Sequence, residues 1–207
     1  MTPRKRKRVA VLISGRGSNM GALIQAAMDP AYPAEIALVI SNKADAKGLE
    51  TAAAAGIDTR VVPYKGHKDR DSHDAAIHAV LKEAGIEIVA LAGYMRLLSP
   101  GFVKKWAGKM INIHPALLPL FKGLDTHQRA LDAGVRVHGC TVHFVTPDMD
   151  EGPIIAQAAV PVETGDTEES LAARVLGAEH ATYPAALALL ARGDVRMTSA
   201  GKAVFRS

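Results

Sequence analysis

At 207 residues, 48% of them hydrophobic and 22% charged, the chain has the composition of one globular domain with a sizeable core, which excludes a disordered or fibrous protein. No apolar run approaches the roughly 20 residues that a membrane span needs. The net charge of +4 is local: Arg4, Lys5, Arg6, Lys7 and Arg8 precede the first strand, and without them 20 basic residues face 21 acidic ones. We expect a basic flexible arm over 1–8 and a single domain over 9–207. The arm is short and has no aromatics, so it reads as a solvated tail and predicts no nucleic-acid or membrane partner. No apolar stretch ends in a small-residue cleavage site. The single cysteine, Cys140, excludes an internal disulfide, and the two facts together point to a reducing cytoplasm. Cys140 itself, in Gly139-Cys140-Thr141-Val142, reads as a small core residue.

In chain order, Val9 to Ile13 is a continuous apolar run, as expected of a buried parallel strand. A glycine loop follows, then a helix through Met20, Leu23, Ile24 and Ala27. Ile36 to Ile40 is a second strand, 46–55 a helix ended by Gly56, and Thr59 to Val62 a third strand. Asp69 or Asp71 caps a helix bearing Ala76, Ile77, Val80 and Leu81 on one face, and Gly85 ends it. Ile88 to Ala92 is a fourth strand, 100–107 a helix, and Met110 to Ile113 a fifth strand. This alternation predicts βαβ units and a Rossmann-like, mostly parallel sheet with helices on both faces. After a helix over 126–133, the strands 138–145 and 153–162 follow without a helix between them, so antiparallel additions are expected near the C-terminus. A long helix begins near Thr167, with Pro184 expected to kink or end it. The stretch 195–205 is weakly strand-like.

Chemistry concentrates at Ile111-Asn112-Ile113-His114-Pro115. Residues two apart on a strand share a face, so Asn112 and His114 point together, and Pro115 stops the ladder. An amide can hold a developing oxyanion, and an imidazole can donate to it or move a proton. If Asp150, in the loop Thr146-Pro147-Asp148-Met149-Asp150-Glu151-Gly152, folds back onto this strand end, the parts suit acyl transfer to an amine. The loop Ser14-Gly15-Arg16-Gly17-Ser18-Asn19 between a strand and a helix suits a single phosphate. It is not a dinucleotide fingerprint, because Met20 replaces the third glycine and Ser41-Asn42-Lys43 replaces a ribose-binding acid. Arg96, Leu97 and Leu98 follow the fourth strand, where the leucines either wall an aromatic ring or pack in the core. Glu179-His180 reads as a surface pair. His138 and His143, five apart, fall on opposite strand faces and cannot jointly bind a metal there; no other metal motif is present and no metal is expected. A Gly-x-Ser-x-Gly elbow is absent.

Taken in order, Ser14-Gly15-x-Gly17-Ser18-Asn19, Ser41-Asn42-Lys43-Ala44-Asp45, Leu91-Ala92-Gly93-Tyr94-Met95-Arg96, Asn112-Ile113-His114-Pro115-x-Leu117-Leu118-Pro119, His138-Gly139-x-Thr141-Val142-His143-Phe144-Val145 and Asp150-x-Gly152-Pro153 resemble the phosphoribosylglycinamide formyltransferases. The likeness runs from about residue 8 to 190. It implies a cytoplasmic folate-dependent transferase of de novo purine (IMP) synthesis, passing formyl from the co-substrate 10-formyltetrahydrofolate to the glycinamide amine. It further implies a catalytic trio of Asn112, His114 and Asp150. Substrate would be bound by Gly17, Ser18, Asn19 and Glu179, and the folate by Arg70, Met95, Arg96, Leu97, Leu98, Asn112, Thr146, Pro147, Asp148 and Met149. The expected partners are small molecules, with a monomer or homodimer as the assembly. Lys122 stands where the family pattern suggests proline, and Asp125 where many relatives have histidine. Transfer to initiator tRNA would need a further C-terminal domain, and the formate-releasing hydrolase a regulatory N-terminal one; 207 residues hold neither. A non-catalytic nucleotide-binding module would explain the glycine loop alone.

Overall fold

The computed structural model describes residues 5–206. Its elements are β1 (Lys7–Ile13), α1 (Ser18–Ala27), β2 (Ala34–Ser41), α2 (Lys47–Ala54), β3 (Asp58–Val61), α3 (Arg70–Glu83), β4 (Ile88–Leu91), α4 (Pro100–Lys105), β5 (Met110–His114), α5 (Thr126–Asp132), β6 (Val137–Phe144), β7 (Ile154–Pro161), α6 (Glu168–Arg192), β8 (Val195–Met197) and β9 (Ala203–Phe205). Seven strands make one sheet in the order β3-β2-β1-β4-β5-β6-β7, and β8 and β9 pair separately. The strands from β1 to β5 are parallel, whereas β6 and β7 extend the sheet antiparallel. The expected α/β architecture with antiparallel additions is the one observed.

The central strands are apolar on both faces because each face is covered. Val9, Val11 and Ile13 face a cluster with Met20 and Leu23 of α1 and Leu171, Val175 and Tyr183 of α6. Ala10 and Leu12 face the opposite cluster, with Ile77 and Leu81 of α3 and Phe102 and Val103 of α4. Each such buried aliphatic side chain contributes about 1.5–3 kcal/mol. Local signals set the helix starts. Asp69 accepts from the Ser72 amide and Thr167 from the Ser170 amide, both in capping boxes, and Ser99 caps α4 ahead of Pro100.

Two expectations give way to packing. Pro184 neither ends nor interrupts α6, which runs on to Arg192. Tyr183 is fully buried and donates to the Leu91 and Ile111 carbonyls, and Tyr32 donates to the Pro184 carbonyl, so tertiary bonds hold the helix at the proline and at the residue before it. The basic arm is not free through residue 8. Lys7 and Arg8 open β1, where their charges meet Glu87 at 2.6 Å and Glu35 at 2.8 Å. The Arg6 guanidinium bonds the Ala27 and Ala34 carbonyls. Residues 1–4, the rest of the proposed arm, lie outside the described residues. No described helix is long and apolar enough to cross a membrane.

On β6, His138 packs edge-on against Phe121 and His127, with ring centroids 5.7 and 5.4 Å away. Burial, with the neighbouring His127 as the next cause, pushes its pKa down from 6.5 to about 4. The unfolded chain takes up this proton near 6.5 and the native chain only near 4, so below the higher value the unfolded state binds more protons. Stability therefore falls as pH drops through this window. We expect the melting temperature to decline between about pH 6.5 and 4, and His138→Leu to flatten that decline. Parallel melting curves against pH for the two proteins would remove His138 as a contributor.

Candidate active site

The parallel strands β1, β4 and β5 end at the same edge of the sheet, and the chain changes direction between β1 and β4, which places a crevice there. Loops 14–19, 92–99 and 115–125 leave this edge. The β6–β7 connection starts elsewhere: Phe144 lies opposite Ile111, near the beginning of β5. Asp150 can reach His114 only if that connection turns back, and it does. His114 Nδ1 is 3.5 Å from Asp150 Oδ2.

The turn is built at Asp150 and Gly152. Asp150 adopts a left-handed backbone, with φ 55°. At Gly152 the chain passes so close to β6 that a Cβ would stand 1.6 Å from the Phe144 carbonyl oxygen and 3.2 Å from His143 Nδ1. Only glycine fits this approach. Asp150 then accepts from the Gly123 amide at 2.9 Å, which joins it to the 115–125 loop.

Hydrogen bonds orient the rings. His114 is buried, and its Nε2 lies 3.0 Å from the Phe121 carbonyl. A carbonyl only accepts, so Nε2 carries a hydrogen and Nδ1 is the nitrogen presented to Asp150. His143 sits opposite Asn112 across the antiparallel pair, on the same face. Its Nδ1 donates to the Phe144 carbonyl at 2.9 Å, which leaves Nε2 to accept from Asn112 Nδ2 at 3.3 Å. Burial holds the His143 pKa below the ordinary imidazole range, although the Phe144 bond and Asp150 act against that shift. Its Nε2 is also 3.7 Å from Asp150 Oδ1. The proposed Asn112, His114 and Asp150 thus stand together, and His143 links the first to the last. Thr141, opposite His114, secures the turn after Pro115 by accepting from the Leu118 amide and donating to the Ala116 carbonyl.

A second group lies at the start of α1. Gly17 is the N-cap residue with φ 70° and no side-chain cap, so the amides of the first turn face outward without a side-chain acceptor. Ser18 is exposed there. Asn19 Nδ2 donates to Glu179 Oε2 at 2.7 Å across to α6. Glu179 is 6% exposed and not the surface residue its helical context suggests. Burial raises its pKa, and the Asn19 bond opposes this only in part.

Large apolar side chains stand exposed on the surrounding loops: Met95 and Leu97 after β4, Leu120 and Leu124 after β5, and Met149 before Asp150. Leu98 instead packs on the core face of α3 and α4. Thr146 bonds the Asp148 carbonyl at 3.3 Å within its own turn, and Pro147 and Asp148 are exposed. The Arg96 guanidinium lies 3.5 Å above the Tyr64 ring. Arg70 is exposed in the first turn of α3 and makes no ion pair with the 92–99 loop among the described residues. No group of three or more His, Cys, Asp or Glu side chains among the described residues is arranged to hold a metal ion.

Residues 7–187 match the formyl transferase family. The phosphoribosylglycinamide formyltransferase of Escherichia coli (strain K12) is 45% identical over 189 residues, covering 91% of this chain and 89% of that protein. The trifunctional purine biosynthetic protein adenosine-3 of Homo sapiens is 56% identical over 199 residues; these are 96% of this chain, which spans 20% of the length of that relative. Glycinamide ribonucleotide transformylase 1 from Symbiobacterium toebii superposes with a TM-score of 0.94 at 44% identity, covering 98% of this chain and 95% of that one. The chain belongs to the formyl transferase family.

Proposed function

We propose that this chain transfers the formyl group of 10-formyltetrahydrofolate to the amine of 5′-phosphoribosylglycinamide in purine synthesis, as a cytoplasmic enzyme acting on small molecules. The observation that carries the reading is the convergence of Asn112, His114 and Asp150, with His143 between them, at the crevice edge. The uncapped start of α1 suits the substrate phosphate, with Gly17, Ser18 and Asn19 as donors. Glu179, held by Asn19, suits a contact with the glycinamide side. The exposed apolar residues Met95, Leu97 and Met149 suit the fused ring of the folate.

The glycinamide amine attacks the formyl carbon directly. A tetrahedral intermediate forms, with negative charge on the former carbonyl oxygen and positive charge on the attacking nitrogen. Asn112 Nδ2 and His114, in its imidazolium form donating from Nδ1, stabilise the oxyanion. Loss of one such donor typically costs about 2.7–4 kcal/mol of transition-state stabilisation. Asp150, through a water, takes the ammonium proton and delivers it to N10 of the folate as the carbon–N10 bond breaks. Formylated amine and tetrahydrofolate leave, with no covalent intermediate on the protein. His143 is a positioning residue here, since its bare Nε2 orients the Asn112 amide.

His114→Ala and Asp150→Asn are each expected to lower kcat by at least about a hundredfold with little change in melting temperature. His143→Ala should cost less, about tenfold. Steady-state rates near wild type for the first two would remove them from the mechanism. A second measurement separates transfer from hydrolysis: 10-formyltetrahydrofolate should be consumed only when the glycinamide substrate is present. Equal consumption with water as the sole acceptor would assign a deformylase instead.

A further inference from the structure

The 92–99 loop has no regular secondary structure, yet Met95 and Leu97 are held 68% and 59% exposed. A slack loop would turn such side chains toward the core, because exposing apolar surface is unfavourable. Two buried oxygens fix this backbone. At the first, Ser14 Oγ accepts from the Met95 amide at 2.8 Å while it donates to Asn42 Oδ1 at 2.6 Å. The Ser14 amide also donates to the Gly93 carbonyl at 3.1 Å. At the other end, Asp74 Oδ2 of α3 accepts from the Ser99 amide at 2.5 Å.

Asp74 is unusual for a residue of an amphipathic helix. It is 2% exposed, and no Lys or Arg pairs with it among the described residues. Its Oδ1 lies 3.4 Å from His73 Nδ1 without a hydrogen bond. A buried carboxylate with so few partners is costly, and the bond it does make is of the strong, charge-assisted kind. That bond ends on the last residue of the loop. Between the two anchors, Arg96 is laid over Tyr64.

We propose that Asp74 and Ser14 are positioning residues for the formyl donor, holding the backbone from Met95 to Ser99 so that Met95 and Leu97 form an apolar ledge under its fused aromatic ring. The proposal rests on the folate reading above. For Asp74 it predicts a defect confined to one substrate, because its contacts, Ser99 and His73, belong neither to the Asn112–His114–Asp150 group nor to the first turn of α1. In Asp74→Ala and Ser14→Ala, the KM for 10-formyltetrahydrofolate should rise about tenfold, the scale of one lost buried hydrogen bond. In Asp74→Ala, both kcat and the KM for phosphoribosylglycinamide should stay within about twofold of wild type. Asp74→Asn retains an oxygen that can accept from Ser99, so it should restore most of the lost affinity. If Asp74→Ala does not fold, Ser14→Ala and Asp74→Asn carry the test. An unchanged folate KM in folded Asp74→Ala and Ser14→Ala would overturn the proposal, as would a joint fall of kcat and both affinities in Asp74→Ala, or an Asp74→Asn as impaired as the alanine variant. A wild-type protein that transfers no formyl from 10-formyltetrahydrofolate would instead bring down the proposed function, and this inference with it.

Discussion

A carboxylate with 11% of its side chain exposed is unfavourable unless nearby groups replace the water it has lost. Asp150 meets that demand by accepting from the Gly123 amide at Oδ2, the oxygen that also faces His114 Nδ1. The rest of the site depends on this arrangement. It draws the β6–β7 connection back across the sheet, locks the 115–125 loop to it, and leaves His114 with one nitrogen tied to Phe121 and the other facing the carboxylate. Removing any one of these contacts loosens the positions of the others, so the groups act as a unit.

The sheet topology explains why such a site is available. Asn112 and His114 share the face of β5 that bears Met110, which belongs to the cluster covered by α3 and α4. No helix follows β5 onto that face, since the chain continues into the 115–125 loop and α5 and then returns as β6. The antiparallel partner supplies His143 and Thr141 directly opposite Asn112 and His114. A parallel neighbour would have required a crossover helix and a different register. The departure from a fully parallel sheet is thus what places four polar side chains side by side.

Much of this was legible in the amino-acid pattern, and the failures have identifiable causes. Continuous apolar runs such as Val9 to Ile13 identify strands buried on both faces, and the two-residue spacing of Asn112 and His114 identifies their shared face. His143 escapes because parity along one strand says only that it opposes His138; its place beside Asn112 depends on the pairing of β5 with β6. The sequence pattern predicts antiparallel pairing only for the strands on either side of the Asp150 loop, which are β6 and β7. Glu179 has the local setting of a surface acid and becomes buried only because α6 packs against α1, where Asn19 meets it. For the same reason Pro184 does not end α6, and the Arg6–Arg8 segment is not a free tail. Local preferences of proline and of a charge run are weak against bonds to residues distant in sequence.

Lys122 and Asp125 lie in a part of the chain where positive φ angles concentrate. Among the described residues, three non-glycine residues have positive φ, namely Phe121, Asp125 and Asp150, and all belong to the two loops that meet over His114. Such conformations cost of order 1–3 kcal/mol each and persist only where surrounding contacts hold them. The contacts here are specific. The Lys122 ammonium reaches Glu151 at 2.8 Å and bridges the two loops next to Asp150. Arg129 of α5 donates to the Lys122 and Leu124 carbonyls, on both sides of Gly123, whose amide holds Asp150. Asp125 makes no side-chain cap; its value at this position is that a short acid tolerates the left-handed backbone from which α5 begins. Lys122 is partly exposed, so its ion pair contributes little to overall stability. Its effect is local, and it opposes separation of the two loops that bring Asp150 to His114.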